Sequence, residues 1–163
     1  MKNIAFLIVC LIIGGCSSHP NVTIKKKLSV LLNKYQNAYI DVQNDAYNTK
    51  LEKQVGEDVM PIVHDISSVL EDIAINPEYN ERKADLKVEC HFLHGLGVPR
   101  LIRHFKIKAS YITKVNLKLI DLSSGTVIGE VEYRRPFART NQQTCPEGFI
   151  KKMFDELLKT GPT

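Results

Sequence analysis

Residues 113–133 read TKVNLKLIDLSSGTVIGEVEY, and their alternation decides the fold. Val115, Leu117 and Leu119 hold odd positions, with Lys114, Asn116 and Lys118 between them. Period-two alternation marks a strand with one buried and one solvated face. Upstream, Phe105, Ile107, Ala109, Tyr111 and Thr113 extend the odd row, and Lys106, Lys108 and Ser110 the even one. Strands favour about 5–6 residues, so a run of this length predicts a bend near Ser110 to Thr113. Asp121 to Thr126, DLSSGT, supplies a tight turn in which Gly125 can take positive φ. Val127, Gly129, Val131 and Tyr133 then continue the alternation on a returning strand. The stretch is a long antiparallel hairpin.

Working outward, Leu86, Val88, Cys90 and Phe92 alternate with Lys87, Glu89 and His91, which predicts another half-buried strand. Val55, Val59, Ile62, Ile66, Val69 and Ile73 fall at spacings of four and three, one apolar helical stripe. The helix is expected from about 58 to 74, with Asp58 as cap and Pro61 in the first turn, where its missing N–H costs little. Tyr39 to Gln43 is a short β-prone run, and Ile24, Leu28, Leu31 and Leu32 share one helical face over 24–34. Thr144-Cys145-Pro146-Glu147 has the form of a capping box. It precedes Phe149, Ile150, Met153, Phe154, Leu157 and Leu158, an amphipathic helix that stops at Gly161-Pro162. The order is helix, strand, helix, three strands, helix. That predicts an α+β fold: a small, largely antiparallel sheet with helices packed on one face.

The amino terminus carries an address. After Met1-Lys2-Asn3, residues 4–13 read IAFLIVCLII, an apolar run well short of the roughly 20 residues that span a bilayer. A basic start, a short apolar core and small residues at its end describe a secretory signal peptide. Ile13-Gly14-Gly15-Cys16 resembles the lipobox of bacterial lipoproteins. That resemblance implies cleavage before Cys16, a diacylglycerol on its thiol and an acylated amino terminus. More than one acyl chain gives stable anchoring, at about 0.8 kcal/mol per buried CH₂. Ser17 stands where the family places an inner-membrane retention aspartate, so the resemblance points to the outer membrane, with the domain facing the periplasm. The chain divides into a signal peptide (1–15), a lipidated tether (16–23) and a single α+β domain (24–163).

Net charge is +4, a mild basic bias that falls short of the footprint of a nucleic-acid binder. Cys10 leaves with the signal peptide and Cys16 carries lipid, so Cys90 and Cys145 remain in an oxidising compartment. A disulfide between them is expected, against the alternative of two buried thiols. The bridge would contribute about 4 kcal/mol in the chain-entropy description. Cys90, His91, His94 and His104 cluster in sequence, but strand neighbours point to opposite faces and do not converge on a metal. His64, Asp65, Ser67 and Ser68 lie within one helical turn, unlike triad members, which arrive from separate elements. No nucleophile elbow or phosphate loop occurs. The expectation is a protein that is not an enzyme and needs no cofactor or metal. Its most distinctive surface is basic: Arg100, Arg103, Lys106 and Lys108 lead into the long strand, and Arg134, Arg135 and Arg139 leave its partner. Such a patch suits anionic headgroups, acidic glycan or a negatively charged protein.

The stretch from Thr113 to Tyr133 also resembles the hairpin of the curli-secretion lipoproteins and the related penicillin-binding-protein-activator lipoproteins, where an alternating strand meets a Ser/Thr-Gly turn. The resemblance, with the element order, implies a lipid-anchored adaptor or regulator of an envelope complex, a secretion or cell-wall machine. The alternatives are an assembly subunit that self-associates through its long strands and a small-ligand or glycan-binding module. No role in binding nucleic acid is expected. The anchor has a direct test: Cys16→Ser should abolish metabolic palmitate labelling and release the protein from the membrane fraction, and unchanged labelling would remove the lipoprotein assignment.

Overall fold

The computed structural model describes residues 21–44, 52–97, 109–134 and 148–162. They form six strands and two helices: β1 Asn21–Lys26, β2 Asn37–Asn44, α1 Glu52–Asp72, β3 Asn76–Glu78, β4 Leu86–Gly97, β5 Ala109–Asp121, β6 Thr126–Arg134 and α2 Phe149–Leu158. One sheet holds all six strands in the order β1-β6-β5-β4-β2-β3. The fold is α+β as expected. The sheet is mixed, a correction to the largely antiparallel expectation: β2 runs parallel to both β3 and β4, and the other pairs are antiparallel. The cause is α1, which carries the chain from the end of β2 back to its beginning, so that the next strands run the same way.

The hairpin of β5 and β6 forms as read, with Asp121 opposite Thr126 and Lys114 opposite Arg134. The expected bend takes the form of a bulge: Leu93 pairs with Lys114 and His94 with Ile112, leaving Thr113 between them. The Thr113 hydroxyl donates to the Leu93 carbonyl at 3.0 Å. Gly125 adopts φ of 67° in the turn, where a β-carbon would be strained.

Two expectations are corrected. Residues 24–34 are not a helix: β1 begins at Asn21, within the stretch read as tether, and a single 3₁₀ turn follows at Leu32–Lys34. Val22 and Ile24 pack at the core while Thr23 pairs with Glu132, so the β-branched alternation prevails over the helical spacing of the leucines. The helix expected over 58–74 begins earlier and encloses Pro61. Ile62, Ile66, Val69 and Leu70 bury its stripe, which outweighs the roughly 3 kcal/mol that an interior proline costs. Its end is a left-handed cap at Ala74 (φ 62°), where the Ile75 N–H donates to the Leu70 carbonyl at 2.9 Å and Ile75 is buried. The capping box read at Thr144 to Glu147 lies outside the described residues.

Both helices cover one face. Leu86, Val88, Cys90 and Phe92 of β4, Val115, Leu117 and Leu119 of β5, and Val131 and Tyr133 of β6 meet α1 and α2 in one core. α2 lies close over β6 at Gly129, where a β-carbon would come within 3.2 Å of Leu157 and 3.3 Å of Leu28. Among the described residues, no helix is long and apolar enough to cross a membrane.

One buried carboxylate ties the hairpin tip to the chain after β1. Asp121 Oδ2 accepts from the Tyr35 hydroxyl at 2.9 Å and the Lys34 ammonium at 3.0 Å. Its Oδ1 accepts from the Ser123 hydroxyl and from the backbone N–H groups of Ser123 and Ser124 at 2.9 and 3.1 Å. The Ser123 hydrogen bond, then those of Lys34 and Tyr35, hold the Asp121 carboxyl well below the ordinary carboxylate range. A carboxyl depressed in the folded state stabilises the fold above its unfolded pKa, about 3.9, and loses that contribution as pH falls toward its folded value. Asp121→Asn should therefore lower stability at neutral pH and flatten the loss of stability on acidification below about pH 4, measured by urea unfolding at several pH values; parallel acid limbs in the two proteins would show that Asp121 does not couple to folding.

Candidate functional site

Alternation along the central strands puts every second residue on the face that the helices leave open. Asp41 of β2, Lys87, Glu89 and His91 of β4, Lys114, Asn116 and Lys118 of β5, and Glu130, Glu132 and Arg134 of β6 are pinned there by register, joined by Lys25 of β1. Cross-strand neighbours on one face of a sheet come within reach of one another. Here they form a belt of charge-assisted contacts running across five strands.

The belt has two carboxylate nodes. Glu132, almost buried, takes Lys114 at 3.2 Å, Lys25 at 3.7 Å and Arg134 Nε. Glu89 takes Lys118 at 2.9 Å, His91 Nε2 at 3.2 Å and Lys87 at 4.0 Å, and Lys87 also reaches Asp41 at 2.9 Å. Burial alone would raise both glutamates, but the Arg134 and Lys114 hydrogen bonds at Glu132 and the Lys118 hydrogen bond at Glu89 hold them below their ordinary values. Both nodes are therefore ionised at neutral pH, each shared among several nitrogen donors.

Between the nodes, His91, Leu93, Lys114, Asn116 and Lys118 line a hollow of about 220 Å³ at the β4–β5 seam. The Asn116 side-chain N–H₂ donates to Glu130 at 3.0 Å. An ionised carboxylate only accepts, so this contact fixes which way the amide points. The Asn116 Oδ1 is left buried without a hydrogen-bond partner. A smaller depression of about 160 Å³ lies where α1 meets the start of α2, lined by residues including His64, Asp65, Ser68 and Lys151. Ser67, considered above with His64 and Asp65, donates its hydroxyl to the Val63 carbonyl at 2.9 Å, a contact within its own helix.

Of the basic residues singled out in the sequence, Arg134 lies at the end of β6 on this face, paired with Glu132. Arg100, Arg103, Lys106, Lys108, Arg135 and Arg139 lie outside the described residues, as do Cys16 and Cys145. β4 ends at Gly97, β5 begins at Ala109, β6 ends at Arg134 and β1 begins at Asn21, all at one end of the sheet. Cys90 is a fully buried free thiol on the core face, and burial pushes it up to about 12. Among the described residues no group of three or more His, Cys, Asp or Glu could hold a metal ion. The hollow itself was not singled out from the sequence. Its signal was the polar row Lys114, Asn116, Lys118, but a strand pattern does not say which neighbouring strand completes the face.

No family model matches the chain, and no curated protein matches it. Solved structures do. A DUF4136 family protein from Bacteroides thetaiotaomicron is 10% identical, with 86% of this chain and 94% of that one aligned at a TM-score of 0.54. A PelC dodecamer from Paraburkholderia phytofirmans is 12% identical over 88% of this chain and 99% of that one, at a TM-score of 0.50. At such identities the likeness is one of fold, and it does not show the resemblance to the curli-secretion or penicillin-binding-protein-activator lipoproteins. This chain shares its overall fold with these two bacterial proteins.

Proposed function

We propose that this chain is a non-enzymatic lipoprotein of the bacterial cell envelope, anchored through Cys16 to the outer membrane and facing the periplasm. It acts as an adaptor or regulator of an envelope protein complex. The observation that carries this reading is the start of β1 at Asn21, beside Arg134 in the sheet. Four residues separate Cys16 from Asn21, and the five extended steps between them reach roughly 18 Å. The anchor therefore leaves the domain from the end of the sheet where β6 ends at Arg134. In this reading Arg134, with Arg100, Arg103, Lys106, Lys108, Arg135 and Arg139 as further candidate contacts, meets the membrane-embedded parts of a secretion or cell-wall machine.

A second reading, self-association, draws on the dodecameric state of PelC, whose fold is similar. Among the described residues β4 continues past Phe92, where its pairing with β2 ends, and β5 begins before Lys114, where its pairing with β6 starts, so association through the long strands would use those ends. In-cell crosslinking of the tagged full-length protein, followed by mass spectrometry, tests both. The adaptor reading expects reproducible capture of one membrane complex, lost when Arg134 and Arg135 are both changed to Glu. Capture of the chain by itself alone would overturn it in favour of the assembly subunit.

A further inference from the structure

β4 pairs with β2 as far as Asn44 and Phe92, then runs on to Gly97. Over that last stretch β5 holds its other side, with Leu93 opposite Lys114 and Gly97 opposite Ala109. β5 in turn pairs with β6 only from Lys114 onward. The end of β4 and the start of β5 therefore form a two-stranded ribbon that runs about 17 Å past the described ends of β2 and β6.

Each strand of such a ribbon has an outer edge, a row of N–H and C=O groups to which another strand can add. The two edges differ. That of β5 carries the bulge at Thr113 and leads into Lys114, which stands opposite Arg134. Bulges and edge cations are devices that oppose strand addition. That of β4 reads Leu93-His94-Gly95-Leu96-Gly97, without Lys, Arg, Asp, Glu or Pro. Among the described residues no strand pairs with this edge.

The segment fits a second copy of itself. Two copies related by a two-fold axis perpendicular to the sheet run antiparallel at this edge, and the contact is the same on both sides. With the axis at Gly95, Leu93 stands opposite Gly97 of the second copy and His94 opposite its Leu96. The two histidines do not face each other, and no like charges meet. The projection of the ribbon keeps the bodies apart, because the two sheets lie beyond its opposite ends. A head-to-tail arrangement of β4 against β5 of a copy pointing the same way fails. It would crowd β2 of one copy and β6 of the next into the width between two paired strands.

We propose that Leu93–Gly97 of β4 is a self-association edge, pairing antiparallel with the same segment of a second copy across a two-fold axis. The proposal rests on the self-association reading and gives it a surface and a symmetry. Few residues meet, so the dimer forms in a concentration-dependent way.

The test is bismaleimide crosslinking of the purified full chain in detergent over a range of protein concentrations. Leu93→Cys, His94→Cys, Gly95→Cys, Leu96→Cys and Gly97→Cys are made one at a time, with Tyr111→Cys as the comparison on β5. The unaltered chain, which keeps Cys90 and Cys145, sets the baseline. The β4 variants should give a crosslinked dimer above baseline that grows with concentration and stops at two copies. The position of the maximum marks the axis, expected at Gly95. Tyr111→Cys should stay at baseline. Adding Leu96→Lys to Gly95→Cys should raise the concentration for half-maximal crosslinking about tenfold, because it places a cation on the edge. The comparison among positions stands even if Leu96→Lys fails to fold. No dimer above baseline from any of the five β4 variants would overturn the proposal. A stronger signal from Tyr111→Cys, or ladders beyond two copies, would overturn it as well. Self-capture in cells without these crosslinks would leave self-association standing and remove this surface.

Discussion

The sheet depends on its register, and Asp121 sets the register of its central hairpin. In a strand every side chain changes face when pairing slips by one residue. Here both outcomes of a slip would be costly. It would turn Leu117, Val131 and Tyr133 toward water and drive Lys118 and Glu132 into the core under α1 and α2. The Asp121 carboxylate resists this at the tip, accepting five hydrogen bonds from Ser123, Ser124, Lys34 and Tyr35. Tyr35 and Lys34 belong to the chain after β1, so the same carboxylate fastens a sheet edge to the hairpin. Asp85 repeats the device nearby, accepting from the backbone N–H groups of Gln36 and Asn37 at 2.9 and 3.0 Å where β2 begins.

With the register fixed, the two faces divide the work. The covered face supplies stability, because burial of apolar area is the dominant favourable contribution to folding. The open face contributes little in comparison. Ion pairs between partly exposed side chains are worth about 0–1 kcal/mol each. A belt of this kind is better understood as a surface with defined donors and acceptors, held flat and rigid by the strands beneath it. Sites built on strands keep their geometry more closely than sites built on loops. Asn116 shows this: its amide N–H₂ donates to the ionised Glu130 carboxylate at 3.0 Å, which fixes the orientation of the amide.

Much of this was legible in the sequence. Period-two alternation found β4, β5 and β6, and the Ser110–Thr113 irregularity announced the bulge at Thr113. The apolar spacing found both helices. What failed did so for physical reasons. β1 was masked because Ile24 and Leu28 are also helically spaced, and only pairing with β6 favours the extended form. β3 is three residues around Pro77 and has no periodicity of its own. The parallel pairing of β2 with β4 follows from a crossover through α1, which is a property of chain path rather than of composition. The hollow was illegible for a related reason: Asn116 and Lys118 are in the hairpin, His91 and Leu93 are in β4, and only the sheet order brings them together.

The sheet order also constrains how this molecule can meet others. Its two edges are β1 and β3, and both are poor templates for an added strand. β3 is short and contains Pro77, which has no N–H to donate. β1 has six residues, a register shift between Ile24 and Lys26, and two lysines at its end. Short, charged and bulged edges are the means by which sheets avoid edge-to-edge association. Among the described residues, β4 beyond Phe92 and β5 before Lys114 run past the ends of β2 and β6, and those ends are the better template for an added strand. The open face, where Lys87, Lys114, Lys118 and Arg134 stand among Glu89, Glu130 and Glu132, offers a partner charges of both signs in fixed places.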